Sequence, residues 1–134
     1  MSETPDVMIR RKGAHGLSSE AYANALRERL PTRSIRVAPT PKAERELIRT
    51  AAVATGASIT PELLDAAERL RVFACTWAGI GHLPMDELRA SGVAVTNASG
   101  IHAPNIAETV VGQLLVFARR LDEGWRRKQP RSWR

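Results

Sequence analysis

The chain has 134 residues, 43% hydrophobic and 4% aromatic, enough for one packed domain with an aliphatic core and too few for two of ordinary size. Its net charge of +6 gathers at Arg10, Arg11 and Lys12 and again between Arg119 and Arg134; no helix-turn-helix, zinc-finger or RNA-binding aromatic pattern accompanies it, which argues against nucleic acid. No apolar run reaches the ~20 residues of a membrane span, the opening residues lack a signal-peptide pattern, and the single Cys75 allows no internal disulfide, so a soluble cytoplasmic protein is expected.

In chain order, residues 7–9 form a short apolar run and predict a strand that ends in a basic, glycine-containing loop. Ser18 and Ser19 can cap a helix carried by Tyr22, Ala25, Leu26 and Leu30, which Pro31 stops. Residues 34–38 alternate as a second strand, and Pro39 and Pro41 separate it from a helix over 42–50. A third strand is predicted at 51–55. Thr60, Pro61 and Glu62 supply a cap, a first-turn proline and an acidic first turn for a helix through Leu70. A fourth strand follows at 71–76, a helix over 84–91 closed by Gly92, and a fifth strand at 93–96.

Strands alternating with helices in this way predict a doubly wound α/β fold: a flavodoxin-like parallel sheet in the order 2-1-3-4-5, dressed by helices on both faces. Ligands then gather at the carboxyl ends of the strands, in the loops at 10–17, 38–42, 55–60, 76–83 and 96–105. Past Pro104, the residues Ile106, Val110, Val111, Leu114, Leu115, Phe117, Ala118 and Leu121 make a helix of about five turns, apolar over much of its girth. Such a helix expects cover from another domain or another chain, or else packs back on the sheet.

The loop Thr76-Trp77-Ala78-Gly79-Ile80-Gly81-His82-Leu83-Pro84 lies between a strand and a helix. Its glycines admit close approach of a ligand to the backbone, and free amides there suit a carboxylate or phosphate; the simpler reading is that Gly79 and Gly81 only permit a tight turn. This loop, with Thr96-Asn97, Ile106-Ala107-Glu108 and Arg119-Arg120, resembles the D-2-hydroxyacid dehydrogenases, which include glyoxylate/hydroxypyruvate reductases and phosphoglycerate dehydrogenases. From Leu70 to Trp133 the likeness is in motifs; before Leu70 it lies in the order of elements.

The resemblance implies that residues 1–100 are a substrate-binding domain and that 101–134 are a hinge and a helix crossing toward a separate NAD-binding domain. It implies that the amides of Ala78 and Gly79, with Trp77 beside them, bind the carboxylate of a small 2-oxo or 2-hydroxy acid. Ile80 and His102 would lie near the cofactor, NAD or NADP, and Asn97 at the hinge. The helix 105–121 would support a homodimer or higher self-association. The family usually carries Asp where Gly81 stands, a departure that bears on the loop's geometry. Glu108 matches a recurrent family acid, for which helix-dipole stabilisation is a sufficient reason.

A dinucleotide site needs G-x-G-x-x-G between a strand and a helix, with an acid roughly 20 residues on. No such pattern occurs in the 134 residues, and the family's catalytic Arg, Glu and His would come later still. The expectation is a truncated substrate domain, inactive alone, with no catalytic residue and no metal site of its own. His15, His82 and His102 are scattered among predicted loops, which does not favour a metal. The alternative is a stand-alone flavodoxin-like module acting by self-association or anion binding.

Overall fold

The computed structural model describes residues 6–12 and 16–128. Its elements are β1 (Val7–Ile9), α1 (Ser19–Arg29), β2 (Ile35–Val37), α2 (Pro41–Ile48), β3 (Val53–Gly56), α3 (Pro61–Asp65), β4 (Val72–Cys75), α4 (Met85–Ala90), β5 (Ala94–Thr96), α5 (Ala103–Ala118) and α6 (Leu121–Lys128). All five strands pair in parallel, in the order β2-β1-β3-β4-β5. The fold is the doubly wound α/β sheet that the sequence predicts.

Local chemistry sets where the helices begin. Ser18 Oγ accepts from the Ala21 amide at 3.1 Å and Thr40 Oγ1 from the Ala43 amide at 3.1 Å. Thr60 Oγ1 does the same for Leu63 at 3.3 Å, and Pro41 and Pro61 occupy first-turn positions where no amide is needed.

Parallel pairing sends alternate residues to opposite faces. Met8, Ala54, Phe73 and Cys75 face one way and build the main core with Ile48 of α2, Leu63 and Leu64 of α3 and Leu88 of α4. Val7, Ile9 and Ile35 face the other way and pack with Ala23, Tyr22 and Leu26 of α1. Helices pack on both faces of the sheet, as expected, but the two faces are dressed unequally. Beside α1, β4 and β5 turn Val72, Ala74, Ala94 and Thr96 to the same face, where they are half-buried or exposed.

Two helix boundaries also differ from expectation. The third helix stops at Asp65 rather than Leu70, because the Glu68 amide donates to the Arg49 carbonyl at 3.2 Å instead of continuing the helix. The Arg49 guanidinium holds the Glu68 carboxylate at 2.8 Å, fixing that exit. The long apolar helix runs over Ala103–Ala118 and then breaks, with Arg120 at φ 51°. Leu121, read from sequence as the end of the long helix, instead opens α6 with residues 122–128, which carry Asp122 and Glu123 in the first turn and Arg126, Arg127 and Lys128 in the last. That order suits the helix dipole, and Asp122 pairs with Arg126 at 3.5 Å.

By compactness the chain divides into two units, Met1–Ser99 and Gly100–Arg134. In the second, neither α5 nor α6 carries a buried residue, and Phe117 is 81% exposed. No helix among the described residues is long and apolar enough to cross a membrane.

Candidate functional site

The loop after β4 is held from both sides. The Thr76 amide donates to the Gly56 carbonyl at 3.0 Å, continuing the ladder past β3. The Trp77 carbonyl accepts from the Ala98 amide at 3.1 Å, and the Ala78 carbonyl accepts from Asn97 Nδ2 at 2.6 Å. In a trans peptide the carbonyl of one residue and the amide of the next point in opposite directions, and the described residues contain no cis peptide. With both carbonyls turned to the end of β5, the amides of Ala78 and Gly79 are turned away from it. No group among the described residues accepts a hydrogen bond from either amide.

The glycines add access. Neither Gly79 nor Gly81 takes a positive φ, and nothing lies within 4 Å of a Cβ placed on either. The turn therefore does not require glycine, and what glycine provides is uncovered backbone. Two unspent amides on bare backbone suit an oxyanion.

The remaining residues fall as follows. Trp77 is 56% exposed, with its indole edge-on to His82 at 6.3 Å between centroids. His82 Nε2 lies 2.7 Å from the Ala57 carbonyl; that oxygen only accepts, so Nε2 carries the proton and ties this loop to the one after β3. Ile80 packs partly against the main core. Asn97 acts here as the brace of the Ala78 carbonyl. His102 is at the N-cap of α5, in the second unit, and Glu108 is exposed on that helix. His15 lies outside the described residues, as does Trp133. Among the described residues no His, Cys, Asp and Glu cluster could hold a metal.

Sequence reasoning missed a second polar centre at the same end of the sheet. Arg10, just past β1, is buried, and its Nε and Nη2 bond Glu44 Oε1 and Oε2 at 3.0 and 2.9 Å. Its Nη1 donates to the Ser58 carbonyl, and the Arg11 amide donates to Glu44 Oε1 at 3.1 Å. Burial raises the Glu44 pKa, but the Arg10 and Arg11 hydrogen bonds and their two positive charges outweigh it and hold the carboxyl below its ordinary value. The Arg10–Lys12 cluster was the visible signal; Glu44, in a helix rich in charge, looks like any solvated acid.

The D-isomer specific 2-hydroxyacid dehydrogenase catalytic-domain family matches residues 19–119. The chain belongs to that family. The match reaches back to α1, into the part where the sequence motifs alone gave only an order of elements. Among curated family relatives, a glyoxylate/hydroxypyruvate reductase of Arabidopsis thaliana is 29% identical over 75 residues, covering 56% of this chain and 23% of that protein. An erythronate-4-phosphate dehydrogenase of Pseudoalteromonas atlantica is 34% identical over 64 residues, covering 48% and 17%. The matched segments thus span less than a quarter of the length of these relatives. Two D-lactate dehydrogenase structures share its fold. That from Treponema pallidum has a TM-score of 0.68 at 18% identity, over 96% of this chain and 40% of its own. That from Aquifex aeolicus, complexed with NAD and lactic acid, has a TM-score of 0.65 at 18% identity, over 96% and 38%.

Proposed function

We propose that this chain is the substrate-binding part of an NAD- or NADP-dependent D-2-hydroxyacid dehydrogenase and that the Ala78 and Gly79 amides bind the carboxylate of a small 2-oxo or 2-hydroxy acid. The observation that carries the reading is the pair of clamped carbonyls, which leaves those two amides unspent and aimed off the end of β5. Trp77 would wall the site. Residues 1–100 would serve as the acid-binding domain, with Asn97 near the hinge and 101–134 leading toward the nucleotide domain, where Ile80 and His102 would come near the cofactor. The family likeness also supports a cytoplasmic setting, in which Cys75 stays a thiol.

The nicotinamide cofactor supplies the hydride when bound, but the described residues do not form its cradle. Of their glycines only Gly56 has a crowded Cβ position, and what crowds it, at 2.9 Å, is the Cβ of Arg10. No glycine-rich turn is shaped around a pyrophosphate, so no step of hydride transfer is assigned to these residues. His82 spends Nε2 on Ala57. The 134 residues are expected to bind the acid without reducing it.

The exposed apolar residues of α5, among them Ile106, Val111, Leu114 and Phe117, support self-association of the chain through this helix as a dimer or larger species.

Titration of the isotope-labelled chain with glyoxylate or hydroxypyruvate tests the assignment. Saturable shifts at the Ala78 and Gly79 amides, lost in Gly79→Pro, are expected, with no oxidation of NADH or NADPH. Undisturbed amides would refute the site, and robust turnover would refute the division of labour.

A further inference from the structure

Beside the Arg10–Glu44 pair lies a cavity of about 150 Å³, lined by Arg10, Arg11, Lys12, Glu44, Ala57, Ser58 and Thr60. We infer that it is a phosphate site, taking inorganic phosphate or the phosphomonoester group of a small metabolite on Arg11, Lys12 and Ser58, with Arg10 and Glu44 as its fixed floor. It lies at the carboxyl ends of β1 and β3, the end of a parallel sheet where ligands bind.

The charges favour this occupant. Glu44 spends its carboxylate on Arg10 and the Arg11 amide, so the buried pair is close to neutral. Arg11 and Lys12 then leave a surplus of two positive charges; the Arg11 guanidinium approaches Glu44 no nearer than 3.8 Å and stays partly open to solvent. A phosphate carries about −1.5 to −2 near pH 7, which matches that surplus, whereas a carboxylate would leave one cation over. Ser58 Oγ accepts from Arg10 Nη1 at 3.3 Å and so has its own hydroxyl hydrogen to give.

The floor is built rather than incidental. A Cβ on Gly56 would stand 2.9 Å from the Cβ of Arg10, so glycine at the end of β3 makes room for that side chain. Ser58 and Glu44 then hold the guanidinium from two sides. A buried ion pair is a poor device for stability alone, and an immobile one is a sound base for an anion. Phosphate binding here needs nothing from Ala78 and Gly79, so the two sites fail or stand separately.

The test is calorimetric and NMR titration of the chain with inorganic phosphate at constant ionic strength, in parallel with glycerol phosphate and acetate. Saturable binding of phosphate, with shifts at the Arg11, Ser58 and Thr60 amides, is expected, and acetate should bind at least about tenfold more weakly. Tighter binding of glycerol phosphate than of inorganic phosphate identifies a metabolite as the occupant, and the reverse order identifies the free ion. Each charge-assisted contact is worth roughly tenfold in affinity, so Arg11→Gln with Lys12→Gln should weaken phosphate about a hundredfold. Arg69→Gln, in a cleft lined by Ala52, Glu68, Leu70 and Arg71, should change nothing. Should the double variant not fold, Lys12→Gln alone, at an exposed side chain, should weaken binding about tenfold. Absence of saturation, equal affinity for acetate, or unchanged affinity in the Lys12 variant overturns the site.

Discussion

Replacing Glu44 by Gln removes one charge and keeps the shape, which isolates what the buried pair does. The Glu44 side chain is 5% exposed and that of Arg10 11%, so the variant leaves a guanidinium in a dry setting opposite a neutral amide. Breaking one partner of a buried pair costs about 3–5 kcal/mol. The retained amide oxygen still accepts one bond and Ser58 still holds Nη1, which puts the cost near the lower limit, about 3 kcal/mol. For a chain of this size that lowers Tm by about 12 °C. The pH dependence has a definite sign. Because the folded-state pKa of Glu44 lies below its ordinary 4.5, the pair stabilises fully above that value and the contribution is lost as pH falls through the lower, folded-state pKa. Wild type should therefore lose stability below about pH 4.5 more steeply than Glu44→Gln. Urea unfolding followed by circular dichroism, repeated from pH 7 down to pH 3, measures both effects. A variant within 1 kcal/mol of wild type at pH 7, or one with the same acid slope, would refute the reasoning.

Gly79→Ala should fold as well as wild type or gain about 0.5 kcal/mol, since its φ is ordinary and its Cβ meets open space, while glyoxylate binding weakens; unchanged binding by NMR titration would count against close approach of ligand to backbone. Asn97→Ala frees the Ala78 carbonyl and should cost about 1 kcal/mol of glyoxylate affinity, near fivefold, with the amide shifts at Ala78 and Gly79 reduced in step. Leu114→Glu, on an exposed apolar stretch of α5, should lower the mass seen by light scattering toward that of one chain. A wild type that is monomeric at every concentration would end that assignment.

Much of the fold was readable because its signals are local. Capping by Ser18 and Thr60 and the first-turn Pro61 marked helix starts, and short apolar runs marked strands, with residues 7–9 buried throughout and Val72–Cys75 buried at Phe73 and Cys75. Where tertiary bonds decide, sequence failed. Nothing between Ala66 and Leu70 announces that the Glu68 amide will go to Arg49, and a run of helix formers cannot show that Arg120 turns to a positive φ. The incomplete cover of β4 and β5 was equally hidden, since a half-buried alanine reads like a buried one. At the site, the glycines and the strand-to-helix setting of the loop were legible. The brace from Asn97 was not, because it depends on two loops distant in sequence meeting beside the sheet. Glu44 was the hardest, being a buried acid in a helix that sequence reads as solvated.

The Asn97 and Ala98 contacts have a thermodynamic side. A peptide group whose carbonyl accepts a hydrogen bond is polarised, and its N–H becomes a stronger donor. The bonds at the Trp77 and Ala78 carbonyls therefore sharpen the amides of Ala78 and Gly79 as donors. Linkage would make the effect reciprocal: an acid bound to those amides would tighten the grip of the loop on residues 97 and 98. On the proposed reading, occupancy and the order of the segment leaving β5 would rise and fall together, so a ligand with no contact beyond the loop would still stiffen the residues that follow β5.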